Sequence, residues 1–254
     1  MKKSYNLYHN LGYWFLLFIV LVFAGFYHTY FSVLFQTVKP VIHFHFVLMA
    51  IWIAMLIVQP FLIKYKKPAL HRLIGRISYV VVPLLLFTTF ILIRNEYYDS
   101  ISDLEKRIVP GQSPLSTAEI LKQAAAQQGL ALFYFIWFLV FYLLAIKNKK
   151  KSSVHARYML ATSLSLLGPT VDRMIFFVFK MDKLPGSLPI ELVAFCMADA
   201  VLAVLLLKDY RENRPVKTLL TALFIYIIGQ ALYFSLPGTQ IWQIFIELIM
   251  KPAP

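Results

Sequence analysis

The chain is poor in cysteine and in acids. Its single cysteine, Cys196, lies inside an apolar run, which excludes a disulfide framework, a cysteine-based metal centre and a redox pair. There is no Asn-x-Ser/Thr acceptor. Also missing are a GxSxG elbow, an HExxH motif, a Walker loop, a glycine-rich dinucleotide fingerprint and any two histidines four apart. The standard chemistry of soluble enzymes therefore has no footing here. Acids number 12 against 25 Lys and Arg. Such an excess suits nucleic acid only when the basic residues share one soluble face. Here they sit in short segments between apolar runs, so the expected partner is the lipid bilayer and no nucleic acid.

What the chain has in abundance is apolar sequence. Of its 254 residues 60% are hydrophobic, and the mean hydropathy is +0.69, where a soluble domain has an apolar fraction of roughly 45–50%. The expectation is an all-α, polytopic transmembrane helix bundle forming a single membrane domain over 1–254. Apolar runs of about 17 to 25 residues fall near 11–28, 41–63, 75–94, 130–146, 157–179, 189–207 and 218–236, seven spans in all. Sixteen Lys and Arg lie on one side of these spans (the N-terminal tail, 64–76, 147–157 and 208–217) and eight on the other, with Arg173 inside the fifth. The positive-inside rule then makes the N-terminus cytoplasmic and the C-terminus outside. A bacterial inner (cytoplasmic) membrane fits these features. Lys2 and Lys3 before the first run, with Val22-Phe23-Ala24 within it, resemble a secretory signal; a retained helix is the preferred reading.

The long connection 95–129 lies outside and carries five of the twelve acids. Within it Ser116-Thr117-Ala118-Glu119 has capping-box spacing and predicts a helix start. After Pro237-Gly238, Gln240, Gln243 and Glu247 form a polar stripe on 239–250, too short to span and read as an interfacial helix.

Polar residues inside the spans supply the candidate sites. His45, Trp52 and Gln59 are seven apart and share one face of the second span, with His43 turned about 200° from His45. Pro169 should kink the fifth span ahead of Asp172 and Arg173. Arg173 lies sixteen residues past Arg157, about 24 Å along a helix axis, at a depth similar to that of His45; Asp199 lies nearer the midplane. The expected arrangement is an outward-facing polar pocket of His45, Trp52, Gln59, Asp172, Arg173 and Asp199, with Arg173 paired to Asp172 or Asp199. The competing reading is a purely structural ion pair. A second group, His71, Arg72, Arg76, His155 and Arg157, lies at the cytoplasmic ends. It suits an anionic headgroup, an interfacial basic girdle, or axial histidines of a haem.

The run from His45 through Trp52 and Gln59-Pro60 to Leu70-His71-Arg72-x-x-Gly75-Arg76 resembles a signature of uncharacterised bacterial multispan membrane proteins. His155-x-Arg157-x-Met159 and Arg173 resemble its second half. The resemblance covers roughly 41–175 and implies a membrane helix bundle, but no activity. A looser similarity is to transmembrane b-type cytochromes, which hold haem between histidines at matched depths inside facing spans; His71 and His155 sit instead at span ends. Three functions follow as expectations. The first is haem b or divalent-metal binding, through His28, His45, His71 or His155, in electron transfer or assembly. The second is small-solute transport at Asp172, Arg173 and Asp199. The third is a non-catalytic structural or regulatory role, with the loop and terminal helix facing a membrane-protein partner or a second copy.

Overall fold

In the computed structural model, which describes residues 10–106 and 115–251, helix accounts for 82% of the described residues. The basic N-terminal tail and the centre of the 95–129 connection lie outside the described residues. Ten α-helices follow in order: α1 (Leu11–Phe26), α2 (Pro40–Lys64), α3 (Pro68–Lys106), α4 (Thr117–Gln127), α5 (Gly129–Lys147), α6 (Ser152–Leu164), α7 (Leu167–Arg173), α8 (Glu191–Arg211), α9 (Lys217–Ser235) and α10 (Gln240–Met250). Among the described residues, the extended structure is a two-residue antiparallel ribbon, β1 (Lys183–Leu184) with β2 (Leu188–Pro189). The chain is a helical bundle.

Local sequence accounts for the boundaries. Pro40 opens α2 and Pro68 opens α3, at positions where the missing N–H is an orphan in any case. Lys66 takes the left-handed conformation (φ 56°) that turns one helix back into the other. The Ser116 side chain accepts from the Glu119 amide while the Glu119 carboxylate accepts from the Ser116 amide, so the expected capping box starts α4. Thr239 caps α10 by accepting from the Trp242 amide at 3.2 Å.

Four helical stretches are long and apolar enough to cross a membrane: Pro40–Lys64, Pro68–Lys106, Thr117–Lys147 and Lys217–Ser235. The other three expected spans differ for separate reasons. α1 has 16 residues, short of the roughly 20 that cross a hydrocarbon core. The expected span 157–179 is divided at Ser165 and Leu166 into α6 and α7, and then ends in a π turn, Met174–Val178. Pro169 is one cause, because it cannot donate to the Ser165 carbonyl. The break falls at Ser165, the residue whose carbonyl Pro169 leaves without its helical donor. α8 is long enough, but it carries Glu191, Asp199, Lys208, Asp209 and Arg211. Within the connection 95–129, α3 continues to Lys106, so Glu96, Asp99, Asp103 and Glu105 ride on a helical extension.

The helices pair as α2 with α3, α5 with α6 and α8 with α9, while α1 lies across α2 and α7 and α10 lies against α4. Between apolar helices in lipid, association rests on close packing and internal hydrogen bonds, because hydrocarbon is as apolar as the side chains. Aromatic rings fill the centre: Trp52 meets Phe138 and Tyr142 edge-on at 5.4 and 5.9 Å, and Trp137 meets Tyr226 at 5.1 Å. Gly25 permits the closest backbone approach, since a β-carbon there would strike the Thr170 carbonyl of α7. The two ends of the bundle differ in charge. At one end Lys149 donates to the Tyr79 hydroxyl and Arg157 and Arg214 approach Asp209; at the other Lys39 meets Asp99, and Arg94 and Tyr98 both donate to the Met250 carbonyl of α10. These are called the basic end and the acidic end below.

Candidate functional site

A cavity of about 1220 Å³ lies between α1, α2, α3, α5 and the α6–α7 break. Its walls are mainly apolar, from Val22 and Phe26 on α1 to Met49, Ile53 and Ile57 on α2 and Phe138 on α5. His45 and Arg173 face it together. Lys39, Asn95, Glu96 and Asp99 line its acidic end.

Each polar side chain is placed by its own local geometry. His45 shares a hydrogen bond of 3.1 Å between Nδ1 and the Thr88 hydroxyl, which also donates to the Leu84 and Leu85 carbonyls. Thr88 thus fixes the ring without a charge. Arg173 donates from Nη1 to the Pro169 carbonyl at 3.0 Å, one turn back on its own helix. Its guanidinium lies 4.8 Å from the centre of the Phe26 ring, a cation–π contact to α1. Asp172 points away from the cavity and accepts from the Tyr134 hydroxyl at 3.1 Å. That bond depends on Gly168, where any side chain would collide with the Tyr134 ring. Asp172 Oδ1 has no hydrogen-bond partner among the described residues.

The expected pairing of Arg173 with Asp172 or Asp199 does not form. Among the described residues, no ion pair includes Arg173. Asp199 accepts from the Gln230 side chain at 3.1 Å, between α8 and α9, and does not line the cavity. Trp52 is 1% exposed and packed into the aromatic core, so it supports the pocket wall without facing the pocket. Gln59 belongs elsewhere altogether. Its amide donates to the His71 carbonyl at 3.2 Å, at the basic end. The stripe from His45 to Gln59 is about 21 Å long, and that is why its two ends serve different sites. His43 shares a 3.1 Å hydrogen bond with the Tyr30 hydroxyl, and exposed His28 stacks on Phe177 at 6.3 Å. Neither is drawn to His45.

At the basic end the structure brings together His71 and His155, whose ring centres lie 6.5 Å apart with planes at 87°. His155 Nδ1 lies 2.9 Å from the Ala145 carbonyl. Since a carbonyl only accepts, this nitrogen carries a proton and donates it. His71 Nδ1 is buried with no hydrogen-bond partner among the described residues. Arg72 and Arg76 are exposed on α3 and do not join this pair. No group of three or more His, Cys, Asp or Glu side chains is poised for a metal among the described residues.

Arg157 behaves as the opposite of Arg173. It is 1% exposed and donates to Asp209 Oδ2 from Nε at 2.9 Å and from Nη2 at 2.5 Å, with Ser153 as a further acceptor. Arg214 Nη1 stands 3.7 Å from Asp209 Oδ1, and its Nη2 pairs with Glu212. Asp209 was not among the residues singled out from sequence. Its signal was there: Asp209 and Glu212 are the two acids in the strongly basic stretches. Comparison with family profiles, with curated proteins and with solved structures gives no match.

Breaking a buried pair by removing one partner costs about 3–5 kcal/mol, whereas replacing both partners with apolar residues is often neutral. Asp209→Ala should therefore lower the unfolding temperature in detergent sharply, and Arg157→Met with Asp209→Leu should restore most of it. An unchanged transition in Asp209→Ala would show that the pair does not hold α6 to α8.

Proposed function

We propose that the protein is a multi-pass protein of the bacterial cytoplasmic membrane that binds and transports a small molecule through the cavity at His45 and Arg173. One observation carries this reading: an arginine inside an apolar bundle faces a large cavity, and among the described residues no acidic partner closes on it. A charge at such depth costs on the order of 2.5–3.5 kcal/mol on insertion scales, so intramembrane charges face partners, water or a ligand pathway. The helix break at Ser165–Leu166 supports the same reading, because irregular backbone in a membrane is tolerated where it lines a cavity.

The accompanying topology has seven spans, with α1, α8 and the composite α6–α7 added to the four long helical stretches. The N-terminus is cytoplasmic and the acidic end faces outward. The separation of charge between the two ends supports this orientation. α10 is then an interfacial helix, held to α4 by the Trp242 indole donating to the Ala125 carbonyl at 2.9 Å. The exposed outer faces of α4 and α10 are the proposed surface for a membrane partner or a second copy.

A second reading is favoured by the meeting of His71 and His155. Two imidazoles on opposite faces of one metal, each with a bond of about 2 Å, have ring centres roughly 6 Å apart, near the observed 6.5 Å. The Ala145 carbonyl would orient His155 as backbone carbonyls orient other ligating histidines. His71 and His155 would hold a haem b, which would supply one-electron chemistry at the basic end.

Mass spectrometry of the intact protein, released from mild detergent under non-denaturing conditions, tests the first reading. One small molecule should remain bound per chain, and Ala50→Trp with Ala54→Phe, which fill the cavity from α2, should remove it. A bare chain in both proteins would contradict the proposal. The absorption spectrum tests the second: a Soret band should appear in the purified protein and vanish in His155→Ala. Absence of both a Soret band and stoichiometric metal would end that reading.

A further inference from the structure

The binding cavity holds charges of both signs. Arg173 lines it from α7 and Glu96 from the extension of α3, yet the two form no ion pair. The field of Asp172, and after it that of Glu96, nevertheless reaches Arg173, and the Arg173 charge also reaches His45. The other charged groups on the wall, Lys39 and Asp99, already satisfy one another at 2.8 Å. What remains is a cation and an anion that share one apolar-walled space and do not close on each other. Opposite charges near hydrocarbon gain from direct contact, so an open pair of this kind is suited to something that fits between.

The cavity is also elongated. Along α2 it runs from Lys39 to Ile57, eighteen residues or about 27 Å. Only its acidic end and the level of His45 and Arg173 are charged. The remainder is lined by side chains such as Val22, Phe26, Met49, Ile53, Ile57 and Phe138. A free polar solute would leave that length unused.

Building on the carrier reading above, we propose that the ligand is a zwitterionic lipid: its phosphate lies on Arg173, its ammonium on Glu96, and its chain along the apolar wall toward Ile57. The phosphate accepts charge-assisted hydrogen bonds from the guanidinium donors that Pro169 leaves available. The ammonium donates to a carboxylate that is exposed and needs no rearrangement of the core. Each end of the head group is thus recognised by the residue of opposite sign, and binding closes the pair.

Calorimetric titration of the full chain in a maltoside detergent tests this with three probes: lysophosphatidylethanolamine, lysophosphatidic acid of the same chain length, and glycerophosphoethanolamine. The amine-bearing lipid should bind about tenfold more tightly than either of the others, because each lacks one recognised part. Glu96→Gln should bring the two lipids within about twofold of each other. Arg173→Gln should weaken both by about tenfold, with Arg173→Lys retaining most of the affinity. An unaltered unfolding temperature in Glu96→Gln keeps that comparison clear of folding defects. Equal binding of the two lipids to the native chain overturns the zwitterion assignment but leaves a ligand-binding cavity intact. Equal binding of the chain-free head group overturns the lipid assignment. If no probe binds while mass spectrometry finds a retained molecule, this inference fails and the carrier reading stands; if neither measurement finds a ligand, both fail.

Discussion

Hydrocarbon offers no partner to a polar group, so every charge on a membrane helix must be answered by the protein, by water or by a ligand. The two arginines of the broken helix answer that requirement in opposite ways. Arg157 is sealed by Asp209 and Ser153. Arg173, in the continuation of the same segment, keeps one carbonyl and one aromatic face and turns the rest toward a cavity. A fold that seals one arginine so completely has the means to seal the other. Leaving it open is the feature from which a functional reading starts.

Small residues and the helix break make that opening possible. Gly25 lets α1 lie against the α7 backbone and close one side of the cavity. Gly168 admits the Tyr134 ring, whose hydroxyl engages Asp172 and keeps that carboxylate off Arg173. The interruption at Ser165–Leu166 then aims Pro169 and Arg173 inward. Packing at backbone distance, more than any long-range charge effect, decides which polar groups meet.

Much of this was legible in the sequence. Long apolar runs, helix caps and turn residues mark α2, α3, α4, α5, α9 and α10, because these signals are local. His71 and His155 were grouped at the cytoplasmic ends from sequence, and their rings do lie together there. What was not legible depends on distance across the fold. Gln59 shares a helical stripe with His45, but the stripe is long enough for its two ends to serve different sites. The expected Arg173–Asp199 pair failed because Asp199 faces Gln230 on α9, a rotation that spacing along α8 alone does not set. Asp209 escaped notice because an acid among lysines and arginines reads as surface until burial shows otherwise.

The account stands on the cavity at Arg173 being reached from the acidic end. In a Cys196→Ser background, Thr89→Cys places a thiol on the cavity wall, and a membrane-impermeant thiol reagent added from outside reads its accessibility. The account predicts that it reacts, as Lys39→Cys at the cavity's acidic end does, while a cysteine at the fully buried Ala222 does not. A thiol at Thr89 that stays unmodified while Lys39→Cys reacts would contradict it.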